Sequence, residues 1–105
     1  MTTPRLDTDV TPPTVSITDE LSFQTAADIR ASLLDAFERV SANMRVDVSE
    51  VGSFDLAGVQ LLYAAARTAE ERGIALTVEY GENAERFEKF YRFAGLTPLG
   101  GGPRS

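Results

Sequence analysis

The spacing of apolar residues changes period several times along the chain, and that alternation limits the fold more than any other feature. Ala26, Ile29, Leu33, Phe37 and Val40 recur at steps of three and four, which places them on one face of a helix expected over 25–40. Thr25 followed by Asp28 resembles a weak capping box at its start. Met44, Val46 and Val48 then alternate with polar neighbours and predict a strand over 44–51. The helical period returns from Leu56, with Val59, Leu62, Ala66 and Ala69 inward and Gly73 in the left-handed position that closes helices. A strand is expected over 74–80. Asn83 should cap a third helix, with Ala84, Phe87, Phe90 or Tyr91 and Ala94 inward and Gly95 at its end. Upstream, the β-branched residues 14–17 read as a short strand that turns at Thr18-Asp19-Glu20.

Strand and helix in strict alternation imply an α/β layer, because a helical crossover is the usual way to join parallel neighbours. The expected architecture is a small, mainly parallel or mixed sheet with about three helices packed mostly on one face. Its other face is left open for association, including a weak dimer through the sheet. The 105 residues suffice for one modest core. Residues 1–13 and 97–105, with prolines, hydroxyls and a glycine run but few apolar anchors, are expected to be disordered, which leaves 14–96 as the domain.

Sixteen acids against ten bases give a net charge of −6, with the cations scattered, which argues against nucleic acid. The chain has no Cys and no His, which excludes thiol and imidazole mechanisms and disulfides and argues against zinc sites. No cofactor or metal is expected. No apolar run approaches a membrane span and no apolar signal core opens the chain, so a cytoplasmic protein without direct membrane insertion is expected.

The stretch Phe54-Asp55-Leu56-Ala57-Gly58 lies where a strand hands over to a helix. Asp55 there is a catalytic carboxylate, a partner contact or a cap that accepts a hydrogen bond from the Gly58 N–H, and the cap, worth about 1 kcal/mol, is the favoured reading. Leu56, Gln60, Tyr63 and Arg67 fall on one outward stripe of the same helix, a mixture typical of protein interfaces; the competing reading is that Leu56 and Tyr63 cover the core edge. Ser49 and Ser53 read as ordinary loop serines. Glu70, Glu71, Glu82, Glu85 and Glu88 read as solvated helix faces. Phe87, Phe90, Tyr91 and Phe93 read as core plus one rim aromatic.

In order and spacing these elements resemble the STAS domain, the fold of bacterial anti-sigma-factor antagonists and of modules attached to transport systems. The segments QTAADIRASLLDAF, VDVSEVGSFDLAGVQLLYAAAR and RFEKFYRFAGL carry the resemblance, which covers roughly residues 15–96. In the antagonists an Asp, two hydroxyl residues and Gly open the second helix, and a partner kinase phosphorylates the second hydroxyl. The resemblance places Asp55 at the acidic position, Leu56 and Ala57 at the hydroxyl positions and Gly58 at the glycine, a degenerate phosphosite without an acceptor. A phosphate two residues into a helix would sit at unpaired N–H groups and the positive end of the dipole, adding nearly two charges to a docking surface. Ala57 cannot accept one.

Three functions follow from these readings. The first is a non-enzymatic interaction module, an anti-sigma-factor antagonist or STAS adaptor whose partner is an anti-sigma factor or serine-kinase-like protein. The second is the STAS accessory subunit of an envelope lipid ABC transporter. The third, a small nucleotide-binding protein, lacks a glycine-rich phosphate loop or a nucleophile–base pair in its support.

Overall fold

A computed structural model of the chain describes residues 4–99. Strands β1 (Arg5–Asp7), β2 (Thr14–Leu21), β3 (Asn43–Phe54) and β4 (Ala75–Glu79) form one sheet in that order. Helix α1 (Ala26–Arg39) follows β2, α2 (Leu56–Glu71) follows β3, and α3 (Ala84–Ala94) follows β4 through a 3-10 turn over Gly81–Asn83. The pairs β2–β3 and β3–β4 are parallel and β1–β2 is antiparallel, so the sheet is mixed.

Two-residue alternation decides which face meets the helices. Val15, Ile17, Met44, Val46, Val48 and Val78 are buried, whereas their neighbours Ser16, Arg45, Asp47 and Thr77 are half-exposed. The buried residues form one cluster with Ile29, Leu33, Ala36 and Phe37 of α1, Val59, Leu62, Ala65 and Ala69 of α2, and Phe87 and Tyr91 of α3. Gly73 and Gly95, both at φ 74°, follow α2 and α3 as expected. On the open face the register aligns Arg5, Ser16, Asp47 and Glu79 in one row and Asp7, Thr14, Arg45 and Thr77 in the next. Both rows are polar, so a dimer through the sheet would have no apolar side chain in them to bury.

Several sequence expectations change. Within the 1–13 segment expected to be disordered, Arg5–Asp7 is a strand, with Leu6 opposite Val15 and packed against the core. Residues 1–3 and 100–105 lie outside the described residues. β2 does not turn at Thr18-Asp19-Glu20: it runs on to Leu21, with Asp19 at φ 65° in an irregular stretch of its pairing with β3. β3 extends to Phe54, which puts Ser49 and Ser53 in a strand instead of a loop. Thr25 makes no side-chain cap; its Oγ1 accepts from the Ser22 N–H at 3.0 Å and donates to the Glu20 carbonyl at 3.1 Å. Ala65 is buried where Ala66 was expected, and Ala36 joins the inner face of α1 while Ala26 and Val40 are half-buried. In α3 the inner face narrows to Phe87 and Tyr91: Phe90 is half-buried, Ala84 and Ala94 are exposed, and Phe93 is the rim aromatic at 91% exposure.

Three tyrosines gather where α2, β4 and α3 meet. The Tyr80 and Tyr91 hydroxyls are 2.8 Å apart, and Tyr80 Oη donates to the Leu99 carbonyl at 3.3 Å. Burial pushes both above the usual phenol range. The stretch 97–99, part of the tail expected to be disordered, is therefore tied to the domain.

Phe87 is fully buried and stacks on Phe54 with ring centroids 4.1 Å apart, so it anchors both α3 and the end of β3. Phe87→Ala should cost about 3–5 kcal/mol, measured by urea denaturation. A loss below about 1 kcal/mol would show that the site collapses around the cavity.

Candidate docking site

The end of β3, the start of α2 and the turn before α1 meet at one corner, and Asp55 joins them. Its backbone is extended, so the side chain turns back over the first helical turn, where Oδ1 accepts from the Gly58 N–H at 2.9 Å. The other oxygen, Oδ2, accepts from the Phe23 N–H at 3.2 Å, and the Asp55 N–H donates to the Leu21 carbonyl at 3.2 Å. The cap expected from the sequence is present, and the same carboxylate also holds the β2–α1 turn.

Gly58 is needed here for space. A Cβ at this position would lie 2.0 Å from the Leu21 carbonyl oxygen and 2.5 Å from its carbon, so the first turn of α2 rests directly on the end of β2. Ala57, one residue earlier, is half-buried and carries only a methyl group. Among the described residues no group of His, Cys, Asp and Glu is placed to hold a metal ion.

Two large apolar side chains are exposed on residues adjoining Asp55: Phe23, whose N–H its carboxylate holds, at 77% and Leu56, the next residue, at 46%. Sequence reasoning missed Phe23. It lies between a strand and a helix and obeys neither period, so its only signal was an aromatic in an otherwise polar turn. Of the stripe on α2, Leu56, Gln60 and Arg67 are exposed, but Tyr63 departs from the expectation of an outward ring. It is half-buried, edge-on to Tyr91 with centroids 5.9 Å apart, and its hydroxyl donates to the Thr97 carbonyl. Burial raises its hydroxyl above the usual range as well. Tyr63 thus covers the core edge, and the exposed stripe shortens to Leu56, Gln60 and Arg67. The acids of α3 are solvated as expected, with Glu85–Lys89 at 3.5 Å and Glu88–Arg92 at 3.1 Å as surface pairs.

Gly58→Ala should lower stability by about 1–3 kcal/mol or more, because neither α2 nor β2 can yield without losing the Asp55 hydrogen bonds. A thermal melt checks this; a variant that melts with the native protein would mean that the helix start is free to slide.

Residues 5–99 match the family described as Mlab, STAS domain. No curated protein sequence matches the chain. Among solved structures, the anti-sigma factor antagonist SpoIIAA in its unphosphorylated form aligns with a TM-score of 0.69 at 19% identity, over 97% of this chain and 89% of that one. The phosphorylated form of the Bacillus cell fate determinant SpoIIAA aligns with 0.64 at 21%, over 97% and 92%. A structure of Mglu aligns with 0.64 at 16% over 74% of this chain, which spans 19% of that longer one. At these identities the structural likeness shows a shared fold, and the fold and the family match agree: the chain belongs to the Mlab-type STAS domain family.

Proposed function

We propose that the chain is a non-enzymatic docking module, of the anti-sigma-factor-antagonist or STAS-adaptor kind, that presents the corner around Asp55 to a protein partner without a phosphoryl switch. The observation that carries this reading is the placement of Phe23 and Leu56. Two large apolar side chains stand exposed on residues adjoining one carboxylate, Leu56 next to it in the chain and Phe23 through its N–H, on backbone held by Asp55 hydrogen bonds. Exposed apolar anchors on a rigid frame are what interface hot spots require, since little ordering entropy is then lost on binding. Gln60 and Arg67 extend the surface along α2.

The residues Asp55, Leu56, Ala57 and Gly58 offer no hydroxyl to a kinase. Competence to bind is then constitutive or set by the partner. The partner is a protein, an anti-sigma factor or serine-kinase-like protein in the cytoplasm; a net charge of −6 speaks against nucleic acid, and no helix of the described residues is long and apolar enough to cross a membrane. A second reading, which follows from the resemblance to STAS modules attached to transport systems, is that the same corner docks on a subunit of an envelope lipid ABC transporter.

The first reading is tested with a purified serine-kinase-type anti-sigma factor and the second with the purified ATPase of an envelope lipid ABC transporter. Phe23→Ala and Leu56→Ala should each weaken binding by about 1–3 kcal/mol in calorimetry, while Ala57→Glu should weaken it by placing charge at the contact and leave the melt unchanged. Native affinity in all three variants would move the docking surface elsewhere. Incubation with an antagonist-directed serine kinase and ATP should leave 55–58 unmodified by mass spectrometry; stoichiometric phosphate on Ser49 or Ser53 would contradict the absence of a switch.

A further inference from the structure

β3 outruns the strand beside it. Its pairing with β4 runs from Asn43↔Ala75 to Asp47↔Glu79, after which β4 has ended while β3 continues to Phe54. On its other edge the overhang is doubly irregular: from Ser16 to Thr18 β2 advances two residues while β3 advances three, Asp47 to Glu50, and from Asp19 to Glu20 β2 advances one while β3 advances two, Val51 to Ser53. Such bulges re-aim a strand and leave backbone groups without ladder partners.

The carbonyls of this overhang are met by side chains from the start of α3. Asn83 Nδ2 donates to the carbonyls of Val48 at 3.0 Å, Ser49 at 3.2 Å and Val51 at 2.9 Å. Arg86 Nη2 donates to the Gly52 carbonyl at 3.0 Å and Nη1 to that of Val51 at 3.4 Å. Arg86 Nη1 also donates to Asn83 Oδ1 at 2.7 Å, which fixes the amide with its NH2 towards the strand. Asn83 occupies the cap position of α3 expected from the sequence, yet its side chain is buried and makes no cap hydrogen bond. The turn that carries it sits close on β3: a Cβ at Gly81 would lie 2.5 Å from the Ser49 Cβ. The Arg86 guanidinium lies 5.2 Å from the Phe54 ring centroid, one residue before Asp55.

We infer that Asn83 and Arg86 stand in for the missing strand partner and, by fixing the last residues of β3, position Asp55 and the start of α2 for docking. They are positioning residues that act through the β3 backbone, and only their consequence for binding rests on the docking reading above. An amide with two N–H donors and a planar guanidinium fork are suited to carbonyls whose spacing the bulges have made irregular, where a further strand could not stay in register.

Amide hydrogen exchange of the full chain tests the inference without a partner. In Arg86→Ala, exchange over Glu50–Asp55 should quicken about tenfold or more, including the Asp55 N–H that donates to Leu21, while the amides of α1 keep their native protection. Arg86→Lys, which keeps a donor but loses the fork, should restore part of the protection. Asn83→Asp, of the same shape but with an oxygen facing three carbonyls, should be worse than either; should it fail to fold, the Arg86 pair still decides. Unchanged exchange in Arg86→Ala, or acceleration spread evenly over the domain, would overturn the inference. Affinity for whichever of the two purified partners named above binds the native chain should fall several-fold in Arg86→Ala alongside the local loosening. Local loosening with native affinity would uphold the clamp and overturn the docking reading instead.

Discussion

The first turn of α2 rests on the end of β2 with no side chain between them, and the arrangement of the functional corner depends on that contact. Only glycine fits at position 58, because any Cβ would lie 2.0 Å from the Leu21 carbonyl oxygen. With the two backbones this close, one carboxylate can reach both the helix start and the turn after β2, as Asp55 does through Gly58 and Phe23. Phe23 and Leu56, far apart in sequence, are thereby held on one corner. The strand that delivers Asp55 is in turn held by α3 through Asn83 and Arg86, so the corner is braced from both ends of the fold.

Residues whose contacts are local were legible in the sequence. The three helices followed from steps of three and four, and the Asp55 cap spans only three residues, so propensity and spacing sufficed. Contacts between distant segments were not. Thr18-Asp19-Glu20 has turn composition, and nothing in its neighbours announces that β3 will pair past it with extra residues. Asn83 has the residue type of a helix cap, but the carbonyls that its amide meets lie 32 to 35 residues away. Tyr63 fitted an outward stripe by period alone; its inward lean depends on Tyr91 and on a tail carbonyl at Thr97. β1 is three residues long, too short to show a period, and is fixed by its pairing with β2.

The corner combines closely packed backbone with exposed apolar side chains at Phe23 and Leu56. Position 56 is an exposed leucine and position 57 a half-buried alanine, so neither carries a hydroxyl. The open face of the sheet carries alternating cations, acids and hydroxyls with no comparable apolar anchors, and therefore offers less to bury.

The central claim is that the protein meets its partner at the corner where β2, β3 and α2 converge. Mapping amide and methyl chemical shifts of the labelled chain during titration with the purified partner tests it most directly. The account predicts perturbations concentrated at Phe23, at Asp55–Gln60 and along the exposed side of α2. Perturbations confined to the open face of the sheet, at Arg5, Ser16, Asp47 and Glu79, with the Asp55 corner unmoved, would contradict it.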